Sequence, residues 1–260
     1  MRAGVTVFRI DGEGARHLRE EVAREFPLTI LLDGEQLATL LCSPDHLEPL
    51  AAGFLFSEGI LHEKSDIRDM DLDRERGIVR IETASGEGID RDLFMKRVIT
   101  TGCGRGIAFS HFADLEGWHR IESDLKISFR SIAALMKQFQ GRSETWRKTH
   151  GVHSAALCDR EEILLFREDI GRHNAVDKIF GHCLLEGIPL ADRIILITGR
   201  VSSEILFKVA KRRIPVLVSR SAPMDLAVQL ARELGMTLLG AVRGERMNIY
   251  SGEERIGHEL

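Results

Sequence analysis

The sequence predicts an α/β protein with a smaller α+β unit ahead of it, on three observations. Beyond residue 150, short continuous apolar runs at 194–197 and 216–218 alternate with helix-length amphipathic segments. Continuous apolar runs mark strands covered on both faces. Strands alternating with helices imply right-handed crossovers and a largely parallel sheet. Before residue 125, by contrast, strand-like runs surround a single helix stripe. The 260 residues are enough for two domains, placed at 1–125 and 126–260.

Each element follows in chain order. Residues 5–10 and 28–32 are β-branched or aliphatic runs. Asp33-Gly34 joins the second run to residues 36–41 and predicts a hairpin, since a type I′ turn needs positive φ at both central positions. Leu47, Leu50, Ala51, Phe54 and Leu55 recur at i, i+3, i+4, i+7 and i+8, one apolar helix stripe, which Gly59 closes. Residues 61–92 carry ten acids against six bases and read as a solvated face, with a short strand at 77–82. Residues 126–148 are basic and amphipathic, with a helix around 132–139 that joins the halves.

In the second half, residues 154–158 and 163–166 predict a hairpin across 159–162. A helix runs from about 174 to 185 and ends near Gly187. Then come strand 193–198, helix 203–211, strand 215–219, helix 224–234 and strand 237–242. Pro223 suits a first helical position, Gly235 a C-terminal stop, and Leu226, Leu230 and Leu234 a buried stripe.

Composition excludes several classes. Hydrophobic residues at 43% and charged residues at 29% are ordinary for a globular chain. A net charge of -4 argues against a nucleic-acid coat, which needs a strongly basic surface. No apolar run approaches a membrane span, and the N-terminus lacks a signal peptide's apolar core, so the expected compartment is the cytoplasm. Neither GxGxxG nor GxxxxGK[ST] occurs. Cys42, Cys103, Cys158 and Cys183 are far apart with no CxxC pair, which predicts free thiols without a zinc knuckle.

Three segments fall at the carboxyl ends of predicted parallel strands, where open α/β sheets bind ligands. They are Thr198-Gly199-Arg200-Val201-Ser202-Ser203, Ser219-Arg220-Ser221-Ala222-Pro223 and Ala241-Val242-Arg243-Gly244-Glu245-Arg246. Each carries Arg, whose fork of donors matches phosphate oxygens, and two lead into helix N-termini that favour anions. Residues 191–220 hold seven bases and two acids, a local charge of +5. The reading is a phosphorylated ligand; solvated turn arginines are the plain alternative. Arg172 and His173 sit in a polar segment at a helix start, where Asp169 or Asn174 is available as a cap. His173 and Asp177 are i, i+4 neighbours, a candidate His–carboxylate pair. It either positions the ligand or anchors the helix.

Thr100-Thr101-Gly102-Cys103-Gly104-Arg105-Gly106 cannot be a helix interior and predicts a mobile loop with an accessible thiol. Lys96, Arg97 and Arg105 favour its reactive thiolate. The other three cysteines read as inert buried hydrophobes.

With these segments in view, the chain resembles the FdhD family of formate dehydrogenase accessory proteins. The resemblance rests on Gly53-Phe54-Leu55-Phe56-Ser57-Glu58-Gly59-Ile60, the Thr-Thr-Gly-Cys-Gly loop, Gly151-Val152-His153-Ser154-Ala155-Ala156 and Asp169-Ile170-Gly171-Arg172-His173-Asn174-Ala175. Gly199-Arg200-Val201-Ser202, Ser221-Ala222-Pro223 and Arg243-Gly244-Glu245-Arg246 extend it over nearly the whole chain. The resemblance implies a sulfurtransferase that takes persulfide sulfur from a cysteine desulfurase. It implies delivery to the molybdenum or tungsten bis-guanylate pterin cofactor of formate dehydrogenase. It also implies a C-terminal α/β sandwich of cytidine-deaminase-like fold and a homodimer, with Cys103 as the catalytic cysteine. The second cysteine of the family's CxxC is Gly106 here, so a single persulfide replaces a two-thiol relay. Two other classes stay open: a cofactor-binding chaperone without sulfur chemistry, and a cysteine-dependent hydrolase with His173 or His153 as base.

Overall fold

The computed structural model describes residues 1–86 and 119–257. β1 (Arg2–Asp11) and β2 (Gly14–Ala23) form an antiparallel ribbon. β3 (Phe26–Leu32), β4 (Glu35–Cys42), β5 (Ile67–Asp73) and β6 (Ile78–Thr83) build a sheet in the order β4-β3-β6-β5, with α1 (Leu47–Glu58) between β4 and β5 in sequence. After β7 (Ile127–Ser128) come α2 (Phe129–Arg142) and α3 (Glu144–Thr149). The second sheet contains β8 (His153–Cys158), β9 (Ile163–Asp169), β10 (Ile194–Ile197), β11 (Val216–Ser219), β12 (Thr237–Arg243) and β13 (Arg246–Ser251). Its order is β13-β12-β11-β10-β8-β9. α4 (Arg172–Glu186) leads from β9 to β10, α5 (Ser203–Lys211) from β10 to β11, and α6 (Asp225–Glu233) from β11 to β12. β14 (Ile256–Gly257) closes on β7 in parallel.

The β3–β4 hairpin forms where the sequence predicts it. Asp33 has φ 47° and Gly34 φ 82°, the double positive φ of a type I′ turn. The second sheet is mixed rather than largely parallel. β10, β11 and β12 are parallel, while β8–β9, β8–β10 and β12–β13 are antiparallel. Only β9→β10, β10→β11 and β11→β12 carry a crossover helix; the other short links permit hairpins alone.

Both faces of this sheet are covered. Ala155, Leu157, Ile195, Ile197, Leu217 and Leu238 share a core with α4, α5 and α6. The alternate residues Ala156, Cys158, Ile194, Leu196, Val216 and Val218 face Ile132, Leu135, Met136 and Phe139 of α2. The stretch read from sequence as a connector is thus a packed layer, because its apolar stripe has this sheet face to cover. Pro223 lies one residue before the helix cap Met224 and pairs with Val201 in an isolated bridge, so it braces two loops rather than opening α6. The buried stripe of α6 is Ala227, Leu230 and Ala231, continued by Leu234, with Leu226 only partly covered.

β2 and β5 escape prediction; the few apolar residues of β5, Ile67, Met70 and Leu72, lie among acids and are only partly covered. β2 is largely exposed, and β5 shows its acids to solvent. There Asp71 pairs with Arg80 across β5 and β6 at 3.2 Å, and Glu82 with Arg68 at 2.8 Å. The acidic stretch is a solvated face over its described part.

α1 is buried nearly all round, well beyond the predicted stripe. The first core runs from Leu28, Ile30, Val79 and Ile81 through Leu50 and Leu55 of α1 to Val176 and Phe180 of α4. The two helices cross at paired glycines. A Cβ on Gly53 would overlap the Asp177 carbonyl and lie 2.7 Å from Gly181 N. A Cβ on Gly181 would overlap the Pro49 carbonyl. In an ordinary helix interior Gly→Ala stabilises by roughly 0.5–1 kcal/mol. Here Gly53→Ala is expected to destabilise by about 1–3 kcal/mol or more through overpacking. Urea denaturation reads the sign directly; a more stable variant would show that the helices do not touch here.

A candidate anion-binding site at the sheet edge

The loops after β10 and β11 interlock with each other and with β12. Val201 N donates to Ala222 O at 3.2 Å, Met224 N to Val201 O at 2.8 Å and Ala241 N to Ser221 O at 2.9 Å. The buried Ser219 hydroxyl donates to Gly199 O at 2.7 Å and accepts from Ser221 N at 2.9 Å. These bonds satisfy turn backbone that the strands cannot.

Arg200, Arg220 and Arg243 stand at or just past the ends of three adjacent parallel strands. Arg172, at the first turn of α4, joins them. A Cβ on Gly199 would lie 3.1 Å from both Cβ and Cδ of Arg172, so the glycine leaves that side chain room to pass close. The Arg220 guanidinium sits 5.5 Å from the Trp146 ring of α3, a cation–π contact that aims it. Arg243 and Arg246 face each other across the exposed Gly244-Glu245 turn.

The remaining predicted residues take structural parts. Ser202 caps α5, accepting from Ile205 N at 3.5 Å. Ser221 and Ala241 hold the loops together through the backbone bond above, and the Val242 side chain is wholly inside the second core.

The sequence count of +5 over residues 191–220 does not survive folding as a local charge. Lys208 pairs with Asp177, Lys211 donates to Ser57 O, and Arg212 lies over the Phe56 ring at 3.6 Å. Only Arg200 and Arg220 of that stretch reach the strand ends; Arg172 comes from elsewhere in the chain. Some arginines elsewhere find carboxylates: Arg16 with Asp11, Arg68 with Glu82, Arg80 with Asp71. Among the described residues, Arg172, Arg200, Arg220, Arg243 and Arg246 have no ion-pair partner, and Arg172 Nε is buried without a hydrogen bond. Unpaired guanidiniums along one sheet edge suit an anionic ligand.

The expected His173–Asp177 pair is replaced by longer-range partners. Asp177 is buried and takes Lys208 Nζ at 2.6 and 2.7 Å and the Ser57 hydroxyl at 2.5 Å. His173 Nε2 lies 3.5 Å from Glu204 Oε2 in the first turn of α5, outside hydrogen-bond geometry. It is therefore at the same end of the sheet as Arg200. Asp169, expected as a cap, does accept from Gly171 N at 2.9 Å, but it also joins the halves. It receives Ser43 N at 2.9 Å, Asn174 Nδ2 at 2.9 Å and the fully buried Lys178 at 2.8 Å. Lys178 in turn reaches Asp45 at 2.7 Å.

Burial, helped by the positive charges of Lys208 and Arg172, pushes His173 down to about 3. The ordinary histidine value is near 6.5. Between the two values the unfolded chain binds a proton that the folded chain refuses. His173 therefore supports stability fully above about pH 6.5 and progressively less as pH falls toward 3. His173→Leu is expected to flatten the fall of stability between about pH 6.5 and about pH 4. Urea midpoints across that range measure it, and an unchanged slope would mean that His173 is not held neutral.

Cys42, Cys158 and Cys183 are buried, and burial raises each thiol to about 12. Such thiols are poor nucleophiles, because the thiolate is the reactive form. Cys103 lies outside the described residues, as does the rest of its loop. No helix among the described residues is long and apolar enough to cross a membrane. Sequence reasoning named Thr198 within a strand-end segment but missed Trp146, Glu204 and Lys208 as site neighbours. His153 was visible only as a motif residue and a candidate base. Nothing in local spacing links these positions.

Fold and edge together define a mixed α/β protein with an arginine-lined rim at its parallel strand ends. The FdhD/NarQ family model matches residues 23–257, and the chain belongs to that family. The chain is 42% identical over 250 residues to the sulfur carrier protein FdhD of Bacillus subtilis, covering 96% of this chain and 95% of the relative. It is 43% identical over 237 residues to the sulfur carrier protein FdhD of Geobacillus kaustophilus, covering 91% and 90%. A putative formate dehydrogenase accessory protein from Desulfotalea psychrophila, a crystal structure, superposes with a TM-score of 0.81. It shares 26% identity, with 98% of this chain and 99% of that one covered.

Proposed function

We propose that this chain carries sulfur as a persulfide on Cys103. The sulfur comes from a cysteine desulfurase and goes to the molybdenum or tungsten bis-guanylate pterin of formate dehydrogenase, the substrate of the transfer. The observation that carries the reading is the state of the thiols. Of four cysteines, the three described are sealed and held near 12, in a chain whose relatives are named sulfur carriers. That leaves Cys103, between Gly102 and Gly104.

In loading, the Cys103 thiolate attacks the outer sulfur of the desulfurase persulfide. A new S–S bond forms, the old one breaks, and the desulfurase cysteine leaves as thiolate. In delivery, a nucleophilic acceptor takes the outer sulfur and Cys103 leaves in the same way. The guanylate ends of the substrate are polyanionic, and Arg172, Arg200, Arg220, Arg243 and Arg246 supply unpaired positive charge. A GDP-like nucleotide is the minimal ligand, and a homodimer is the working assembly.

Incubation with a cysteine desulfurase and free cysteine, read by intact mass, is expected to add one sulfur to the wild type and none to Cys103→Ser. Cys42→Ala, Cys158→Ala and Cys183→Ala should load normally. Sulfur found on one of those three would overturn the assignment.

Arg220→Ala is expected to weaken GDP binding about tenfold or more, since a hydrogen bond to a charged group contributes roughly 1.5–3 kcal/mol. Rising salt should weaken wild-type binding as exposed charges are screened. Calorimetry that detects no GDP binding to the wild type would remove the anion site.

A further inference from the structure

Resting on the anion-site reading above, we infer that His153 is a further ligand-binding residue, a neutral donor of its Nε2–H to a phosphoryl oxygen of a nucleoside diphosphate. His153 begins β8, which pairs antiparallel with β10, so it lies beside the loop that carries Arg200. Its Nδ1 is 3.4 Å from Thr198 Oγ1 and would be 3.5 Å from a Cβ on Gly199. The same glycine gives passage to Arg172. The histidine and that guanidinium therefore flank one backbone position, next to Arg200.

The hydrogen-bond network assigns the nitrogen that holds the proton. Thr198 Oγ1 accepts from Ser154 N at 3.0 Å. Among the described residues, His153 Nδ1 is the acceptor within reach of the hydroxyl's own proton, and this assigns Nδ1 as the acceptor. A neutral imidazole accepting at Nδ1 carries its hydrogen on Nε2. Burial and the nearby Arg172 charge lower the His153 pKa, and together they outweigh the opposing pull of Asp169.

Nε2 is a donor without a protein acceptor among the described residues, and it is not among the sealed, unpartnered atoms, so it reaches the surface. Arg172 is in the same condition: its Nε is sealed, while its terminal nitrogens have no ion-pair partner. A buried β-strand that begins with this donor, beside the unpaired guanidiniums of Arg172 and Arg200, is arranged for an acceptor that the chain itself does not supply. Phosphoryl oxygens are acceptors that also carry the negative charge unpaired guanidiniums favour, which this set matches and a cationic ligand does not.

The test titrates GDP into wild type, His153→Phe, His153→Gln and Arg220→Ala by calorimetry, with melting temperatures taken alongside. His153→Phe keeps the ring and removes the donor. It is expected to weaken binding about tenfold. His153→Gln puts an amide N–H near the Nε2 position and is expected to recover most of the loss. In nitrogen-15 spectra of the wild type, the His153 ring is expected as the Nε2–H form, with its Nε2 resonance shifting on GDP addition. A role confined to packing would lower the melting temperature of His153→Phe without moving that resonance, and would overturn the inference. If GDP binds and Arg220→Ala weakens it while both His153 variants bind like wild type, this inference fails and the arginine site stands. If the wild type does not bind GDP, the arginine site falls first and this inference with it.

Discussion

The contact between α1 and α4 at Gly53 and Gly181 sets the distance between the two halves of the molecule. With no side chains at the crossing, backbone meets backbone, and neighbouring polar groups come within bonding reach. On one side of the crossing, Ser57 of α1 reaches Asp177 of α4. On the other, Ser43 and Asp45 before α1 reach Asp169 and Lys178. Two buried lysines, Lys178 and Lys208, neutralise the carboxylates that this closeness forces inside. A buried charge is tolerated only when paired and hydrogen-bonded, so these networks demand a close, definite seat for α4.

The seat of α4 decides where its first turn lands. Arg172 and His173 follow Asp169 by three and four residues, and the Asp169 carboxylate is bonded on both oxygens. That fixes the helix start beside Gly199, at the end of β10. The arginine rim is therefore assembled from two sources. The parallel strands β10, β11 and β12 deliver Arg200, Arg220 and Arg243, and the helix crossing delivers Arg172. The polar segment around Asp169 is thus both structural and functional in position: the aspartate and asparagine hold the halves together, and the arginine looks out from the same turn.

Much of the second half was legible in its sequence. The runs at 194–197 and 216–218 are strands because they are apolar without alternation, and the structure buries them on both faces. The Asp33-Gly34 turn was legible because few dipeptides tolerate its backbone. β2 was not, since a largely exposed strand needs no apolar residues, and β5 was masked because its three apolar residues are interleaved with acids. The mixed character of the second sheet was also hidden. The 159–162 hairpin was read, yet whether its strands join the main sheet depends on which neighbours they meet.

For the site, the sequence by itself determined the strand-end arginines, the three inert cysteines and the glycine-bracketed Cys103. Each follows from local chemistry: strand direction, apolar context or backbone freedom. Only the tertiary structure decided which charges stay free. Lys208, Lys211 and Arg212 belong to the same basic stretch as Arg200 and Arg220, yet they are turned to Asp177, Ser57 and Phe56. Likewise His173 and Asp177 share a helix face but find partners on α5. A chain position specifies the donor; its partner is set by elements distant in sequence, because electrostatic pairing depends on distance in space and on burial, and neither is written in the spacing.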